Sequence, residues 1–519
     1  MPPGVIHRPS TLLRCRHLAA TWWRLAFTLD TRGLAAFRIG LGLTLVADCL
    51  LRFRTFPLMF AADGVFPPDL LRSYQGTAAA WSIMLASDAT AWAGVVLAME
   101  GFLGGLLALG LHTRPVTIAA WAVTISIIHR TAPATYAGDM WLLCMLLWSM
   151  FLPLGAVWSL DAVRRPPQPP PTAALSIATA ALVVQTAAVY LGAGLSKCNP
   201  AWMSGEAAAY ALSVHDHGNP LGMLIARVGW LATAATWTVL AVELTAPLTL
   251  VFIPAVRVRI ALATVFILFH LAVGATMWVD LFPMIGITAW LALIPQPAWD
   301  VIAPPRAEIP RIAGLGRPAS LACGAAVAIS AVSMVHAWGL LGPAPLPEPI
   351  RSAIAATGLV QEWSMFGEVP AQEQWVYGRA VLADGRTVDL LRGGRPLESD
   401  RPSGGFGSLG SHRWHKLFWI MPRPDVRPFG PPTAAALATA WNGRHGPEDQ
   451  VRSLELRFAT QGVASFEAPL RDMLVAAWPP RGRDGEGSLD RLLDAATLPR
   501  SPRDTDRQPR EARGEPRVD

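Results

Sequence analysis

The chain has 519 residues, of which 52% are hydrophobic and 15% charged, where a soluble domain averages about 25% charged. That composition excludes a wholly water-soluble globular protein. Residues 1–344 hold 20 basic and 14 acidic side chains, whereas residues 345–519 hold 23 of each, so the net charge of +6 lies entirely in the first part. The split implies a membrane domain followed by a water-exposed one, and it removes the reason to expect a nucleic-acid partner.

In chain order, residues 1–32 form an arginine-rich N-terminal segment. It is no cleavable signal peptide, because the first long apolar run begins only near Gly33 and is as long as a membrane span. A spanning helix needs roughly 20 apolar residues. Such runs lie near 33–51, 88–111, 115–135, 138–157, 172–193, 228–253, 260–278, 281–296 and 319–341, which predicts nine spans and a membrane domain over 33–341. The break at Met277-Trp278-Val279-Asp280 is thin, so residues 260–296 read either as two spans or as a re-entrant hairpin.

With the N-terminus inside, 13 basic residues fall in cytoplasmic segments against six outside. Basic loops resist translocation, so this orientation is expected, and nine spans then place the C-terminal part outside. Many of the 21 tryptophans, among them Trp22, Trp81, Trp158, Trp202 and Trp278, fall near span ends, where an amphipathic ring prefers the headgroup level. The five cysteines lie in or beside apolar segments without a CxxC pair, so neither a disulfide framework nor a metal site is expected.

Gly342, Pro343, Pro345, Pro347 and Pro349 prevent a helix from continuing beyond the last span. Trp375–Val381 and Thr387–Leu391 read as strands joined by Ala383-Asp384-Gly385-Arg386, an Asp-Gly hairpin signal. The fold class is therefore an α-helical polytopic membrane protein with a small extracytoplasmic β-containing domain over 342–478. The Arg-, Asp-, Pro- and Gly-rich tail at 479–519 is expected to be disordered.

Ionisable side chains at membrane depth are costly and mark candidate sites. Here they are Arg38, Asp48, Glu100, Asp139, Lys197, Glu243 and His270. Arg38 and Asp48 lie ten residues apart on one span, too far to pair directly. Glu100 and Glu243 are either protonated or paired with an arginine. Asp139 can cap the fourth span, and an intramembrane His270 is as readily a packing residue as a functional one. Lys197 is different. Only two of the 43 basic residues are lysine, Lys197 and Lys416. A buried lysine has an accessible neutral form that arginine lacks, so Lys197 is the candidate base.

Several stretches together resemble the vitamin K-dependent γ-carboxylase family, in its bacterial branch of horizontally transferred transmembrane domain proteins. They are Ala36-Phe37-Arg38-Ile39-Gly40 with Asp48, Gly138-Asp139 through Phe151-Leu152-Pro153-Leu154-Gly155 to Ser159-Leu160-Asp161, Tyr190 to Trp202 around Lys197, Phe269-His270 with Phe282-Pro283, and Gln361-Glu-Trp363-Ser-Met-Phe366. The resemblance covers roughly residues 30–420. It implies that Lys197 is the catalytic base acting on reduced vitamin K or another quinol, with Arg38, Asp139, Trp202 and His270 as substrate-binding candidates. It also implies a lipid-soluble quinone and a protein or peptide substrate as partners besides the lipid bilayer, and no metal. In one place the chain departs from that family: Gly138-Asp139 stands where the carboxylases have a functional histidine. Two other readings remain, a non-enzymatic membrane protein that binds a lipid or partner, and a transporter, for which no inverted repeat is visible.

Overall fold

The computed structural model describes residues 11–76, 80–165, 169–213, 217–304, 311–367, 372–397, 409–462 and 471–480. Residues 481–519, expected to be a disordered tail, lie outside the described residues, as do residues 1–10.

A surface helix, α1 (Thr11–Phe27), precedes α2 (Thr31–Phe53), whose start is fixed by Asp30: its side chain accepts from the backbone N–H of Arg32 at 2.7 Å. The bundle continues with α3 (Thr90–Leu109), α4 (Thr113–Arg130), α5 (Ala137–Ser149), α6 (Ile177–Ser196), α7 (Gly229–Phe252), α8 (Val256–Thr276), α9 (Phe282–Leu293), α10 (Gln296–Ile302) and α11 (Arg317–Ala337). The α6 helix is buried over most of its length, while α7, α8 and α11 turn most of theirs outward, as lipid-facing helices do. At one end of the bundle, three two-residue strands, β1 (Leu29–Asp30), β2 (Ala173–Ala174) and β3 (Ile312–Ala313), clasp the starts of α2, α6 and α11.

The expected nine spans are corrected. Among the described residues, six helices, α2, α3, α6, α7, α8 and α11, are long and apolar enough to cross a membrane, and the bent pair α9 and α10 would make a seventh. The fourth apolar run yields only 13 helical residues in α5, about 20 Å of helix against a hydrocarbon core of about 30 Å. Pro153 and the turns around it end that run early. The 18-residue α4 is too polar, with Arg114 at its start and His129 and Arg130 at its end. Within 260–296, α8 and α9 are separate helices packed on each other. The sharp bend, 99°, falls later, between α9 and α10.

Beyond α11, helix α12 (Glu348–Thr357) leads to an irregular segment, 359–367, and then to a C-terminal domain. Its five-stranded antiparallel sheet has the order β6-β5-β4-β7-β8, from β4 (Gln372–Leu382), β5 (Thr387–Asp389), β6 (Arg395–Pro396), β7 (Val451–Gly462) and β8 (Arg471–Trp478). The hairpin between β4 and β5 lies where the Asp-Gly pair placed it, with Val381 opposite Thr387. Two helices that the sequence did not announce, α13 (His412–Ile420) and α14 (Gly430–Asn442), complete the domain. They bury Leu417, Phe418 and Ala434 in one core with Leu454 and Leu456 of β7. The domain docks on the bundle through Phe429, whose ring meets Phe66 and Tyr74 of the loop after α2 at 5.6 and 5.8 Å.

Candidate functional site

Lys197 terminates α6 and is only 2% exposed. Its Nζ lies 2.8 Å from Glu243 Oε2 of α7, 2.7 Å from the carbonyl of Met365 and 3.3 Å from that of Ala193. The Trp202 ring sits 5.2 Å away as a cation–π partner. Helices α6 and α7 approach closely enough for this pair because residue 194 is glycine: a Cβ there would come within 3.0 Å of the Glu243 backbone. Glu243 is itself buried, and the Lys197 ammonium is its close partner.

The segment 361–367 is the lid of this site. Gln361 is buried and exchanges amide hydrogen bonds with Gln185 of α6, and Trp363 donates to Gln361 at 2.8 Å. Further along, Asn199 donates to the Gly367 carbonyl and Trp202 to that of Phe366. Thus the Gln-Glu-Trp-Ser-Met-Phe stretch seen in the sequence runs against the end of α6 and supplies the carbonyl that holds the lysine.

A second buried centre lies at the same end of the bundle. Asp48 and Arg52, one turn apart on α2, pair at 2.7 Å. Arg413 of α13 reaches down from the C-terminal domain and grips both oxygens of Asp139 at 2.9 Å and Asp48 at 2.8 Å. Arg52 closes the ring at 3.0 Å from Asp139. Burial opposes the Arg413 charge, but Asp139 and Asp48 outweigh it and raise its pKa. Asp139 also accepts from the Tyr136 backbone as a cap of α5.

The remaining candidates lie elsewhere. His270 Nε2 takes the hydroxyl of Tyr190 at 2.8 Å, and that hydroxyl accepts from Trp290 at 2.8 Å. Gly286 is required here, since a Cβ would stand 2.1 Å from the His270 ring. The rings of Trp141, Tyr190, His270 and Phe266 pack on one another where α5, α6 and α8 meet. Arg38 is fully buried near the opposite end of α2 and donates to the Trp158 carbonyl. Lys197 and Trp202 are therefore together, Asp139 belongs to the ring with Arg413, and His270 and Arg38 each have a separate environment.

Three histidines, not singled out from the sequence, gather above Lys197: His217 from the loop before α7, and His412 and His415 from α13. One ring nitrogen from each lies within 4.8 Å of the others. The His217 ring contacts Phe366, the neighbour of Met365, at 5.1 Å. Burial, helped by the Lys416 ammonium, pushes His217 down to about 4 and holds His415 and His412 well below the usual histidine range. Burial lowers Lys416 itself to about 8.

The HTTM domain family matches residues 28–299, just over half of the chain. The chain belongs to the HTTM domain family. No curated protein and no solved structure matches it. Membership and the six or seven apolar helices make this HTTM protein an integral, multi-pass membrane protein. The matched region includes Lys197, Glu243, Asp48 and Asp139, whereas Met365, Arg413, His412 and His415 come from beyond it.

Proposed function

We propose that this HTTM protein is a membrane enzyme of the carboxylase type in which Lys197, assisted by Glu243, is the base acting on a reduced quinone. The observation that carries the reading is the buried Lys197–Glu243 pair, in contact at 2.8 Å. Passing a proton from Lys197 Nζ to Glu243 turns the ion pair into a neutral amine and a neutral acid. The total charge does not change, so the apolar surroundings need not accommodate a new one. The Met365 and Ala193 carbonyls hold the nitrogen in place during the transfer, and Trp202 shields it from water. A quinol fits this pair, since its hydroxyl would donate to the Lys197 amine that the transfer to Glu243 leaves neutral, giving back an ammonium beside the quinolate. When bound, such a quinol supplies a weakly acidic hydroxyl and a ring that oxygen can oxidise. With the bent pair α9 and α10 taken as a seventh span, the arginine placement puts Lys197 and the C-terminal domain on the outer side and the N-terminus in the cytoplasm. The outer domain is then the surface for a protein or peptide substrate.

The test is oxygen uptake by the full chain in lipid nanodiscs with a reduced quinone. Lys197→Arg keeps the positive charge but has no accessible neutral form, and uptake falls about 10²–10⁴-fold. Equal uptake by wild type and Lys197→Arg refutes the base. One observation favours the non-enzymatic reading: three protein oxygens already surround the ammonium, as they would in a structural pin. Under that reading, Lys197→Arg changes stability but no turnover.

A further inference from the structure

We propose that His217, His412 and His415 form a binding site for one divalent first-row transition metal ion, zinc by preference, which ties the outer domain to the membrane bundle. The sequence pointed to no metal, because cysteine spacing was the signal available. The fold brings the three imidazoles together from positions far apart in the chain.

Three observations carry this. First, one ring nitrogen from each histidine lies within 4.8 Å of the other two. In a tetrahedral zinc site with Zn–N bonds of about 2.0–2.1 Å, neighbouring nitrogens are roughly 3.3 Å apart. Ring rotations of an ångström or so therefore close the set. Second, the Nδ1 atoms of His217 and His412 are buried without a hydrogen-bond partner, and buried polar atoms seldom remain so unless something binds them. Third, the scaffold holds the ligands from two sides. The His217 carbonyl accepts from the Trp278 backbone at 2.6 Å, and Gly218 bridges to Met277, which fixes the loop to the turn between α8 and α9. His412 and His415 are spaced i and i+3, so one face of α13 presents both. Asp280 of that same turn accepts from the His412 backbone.

The set of three imidazoles matches zinc sites that keep a fourth position for water or another ligand. It suits a borderline ion and not calcium or magnesium, which take oxygen ligands. The site lies beside Phe366, one residue from the carbonyl that holds Lys197. A bound ion would thus stiffen the lid of the lysine site as well as the domain junction.

The experiment uses the tag-free full chain in nanodiscs, stripped with chelator and dialysed against zinc, with metal per chain measured by mass spectrometry. We expect about one zinc per wild-type chain, and a thermal transition that rises on adding zinc. His412→Gln, His415→Gln and His217→Gln each weaken zinc binding about a hundredfold or more and abolish the thermal shift. His445→Gln, on a histidine stacked on Trp441 away from the cluster, leaves both unchanged. Cobalt used alone as a probe gives the visible absorption of a four-coordinate site in wild type and loses it in His217→Gln, which alters a loop and no helix. Absence of stoichiometric zinc from folded wild type, or undiminished binding in the three histidine variants, overturns the proposal.

Discussion

The two buried ionic centres at the end of the bundle that meets the C-terminal domain are built on opposite principles. Around Arg413, two guanidiniums and two carboxylates form a closed ring of aligned hydrogen bonds between 2.7 and 3.0 Å. Around Lys197, a single lysine–carboxylate pair is in contact at 2.8 Å, with two backbone carbonyls completing the surroundings of the ammonium. The ring joins three parts of the chain, α2, α5 and the C-terminal domain, and uses arginine, whose planar fork suits bidentate pairing and does not give up its proton. The pair uses a lysine in a chain that otherwise almost always uses arginine. A centre built for permanence and one built for proton movement, as proposed for Lys197, would differ in this way, and the difference can be tested.

The largest effect is expected at the ring. Arg413→Met leaves Asp48 and Asp139 buried with only Arg52 between them, and breaking a buried network by removing one partner costs about 3–5 kcal/mol. The C-terminal domain should undock, which is visible as a lower unfolding temperature and as new proteolytic cleavage between residues 342 and 350. Wild-type stability in this variant would erase the contrast between the two centres.

The lysine pair should answer differently. Replacing both members together, Lys197→Met with Glu243→Met, removes both charges at similar volume, and such replacements are often neutral or stabilising by about 1–4 kcal/mol. We therefore expect thermal stability at or above wild type with loss of quinol-dependent oxygen uptake. A marked loss of stability would mean that Lys197 is a pin, like Arg413. Between these in size lies Gly286→Ala, which drives a methyl group into the His270 ring. Overpacking of this kind costs about 1–3 kcal/mol and, since His270 lies apart from the lysine, thermal unfolding should register it more strongly than substrate KM.

How much of this could be read from the sequence depended on whether the determinant was local. The apolar runs of α2, α3, α6, α7, α8 and α11 announce themselves, because a span must satisfy its backbone internally over some 20 residues. The lengths of α4 and α5 do not, because Pro153 and the terminal charges trim apolar stretches that hydropathy alone joins. Lys197 was legible through composition. Its partner Glu243 stood out as a buried carboxylate, but nothing local links two residues 46 positions apart on separate helices. Arg413 was invisible: it is one arginine among 23 basic residues in the charged third, and only the docking of α13 makes it a buried one. The pair His412 and His415 carried a weak signal, two histidines one helical turn apart and flanking that arginine. His217 could only be joined to them in three dimensions.

The smallest expected effect concerns Glu100, the fifth ionisable group near the ring, and it separates membership from proximity. Glu100 is fully buried, yet its nearest contacts are long: Thr124 Oγ1 at 3.4 Å and Arg52 Nε at 4.0 Å. Arg52 directs its Nε instead to Asp48, at 2.7 Å. A hydrogen bond stretched to that length contributes little, so Glu100→Gln, which keeps shape and the ability to accept from Thr124, should shift stability by less than about 1 kcal/mol. The same change at Asp139, to asparagine, removes the charge gripped by both arginines and should cost several times as much. Measuring both in one series of thermal melts tests whether the ring is the four-membered unit its geometry describes. Equal losses at Glu100 and Asp139 would make it five-membered, with Arg52 shared among three carboxylates.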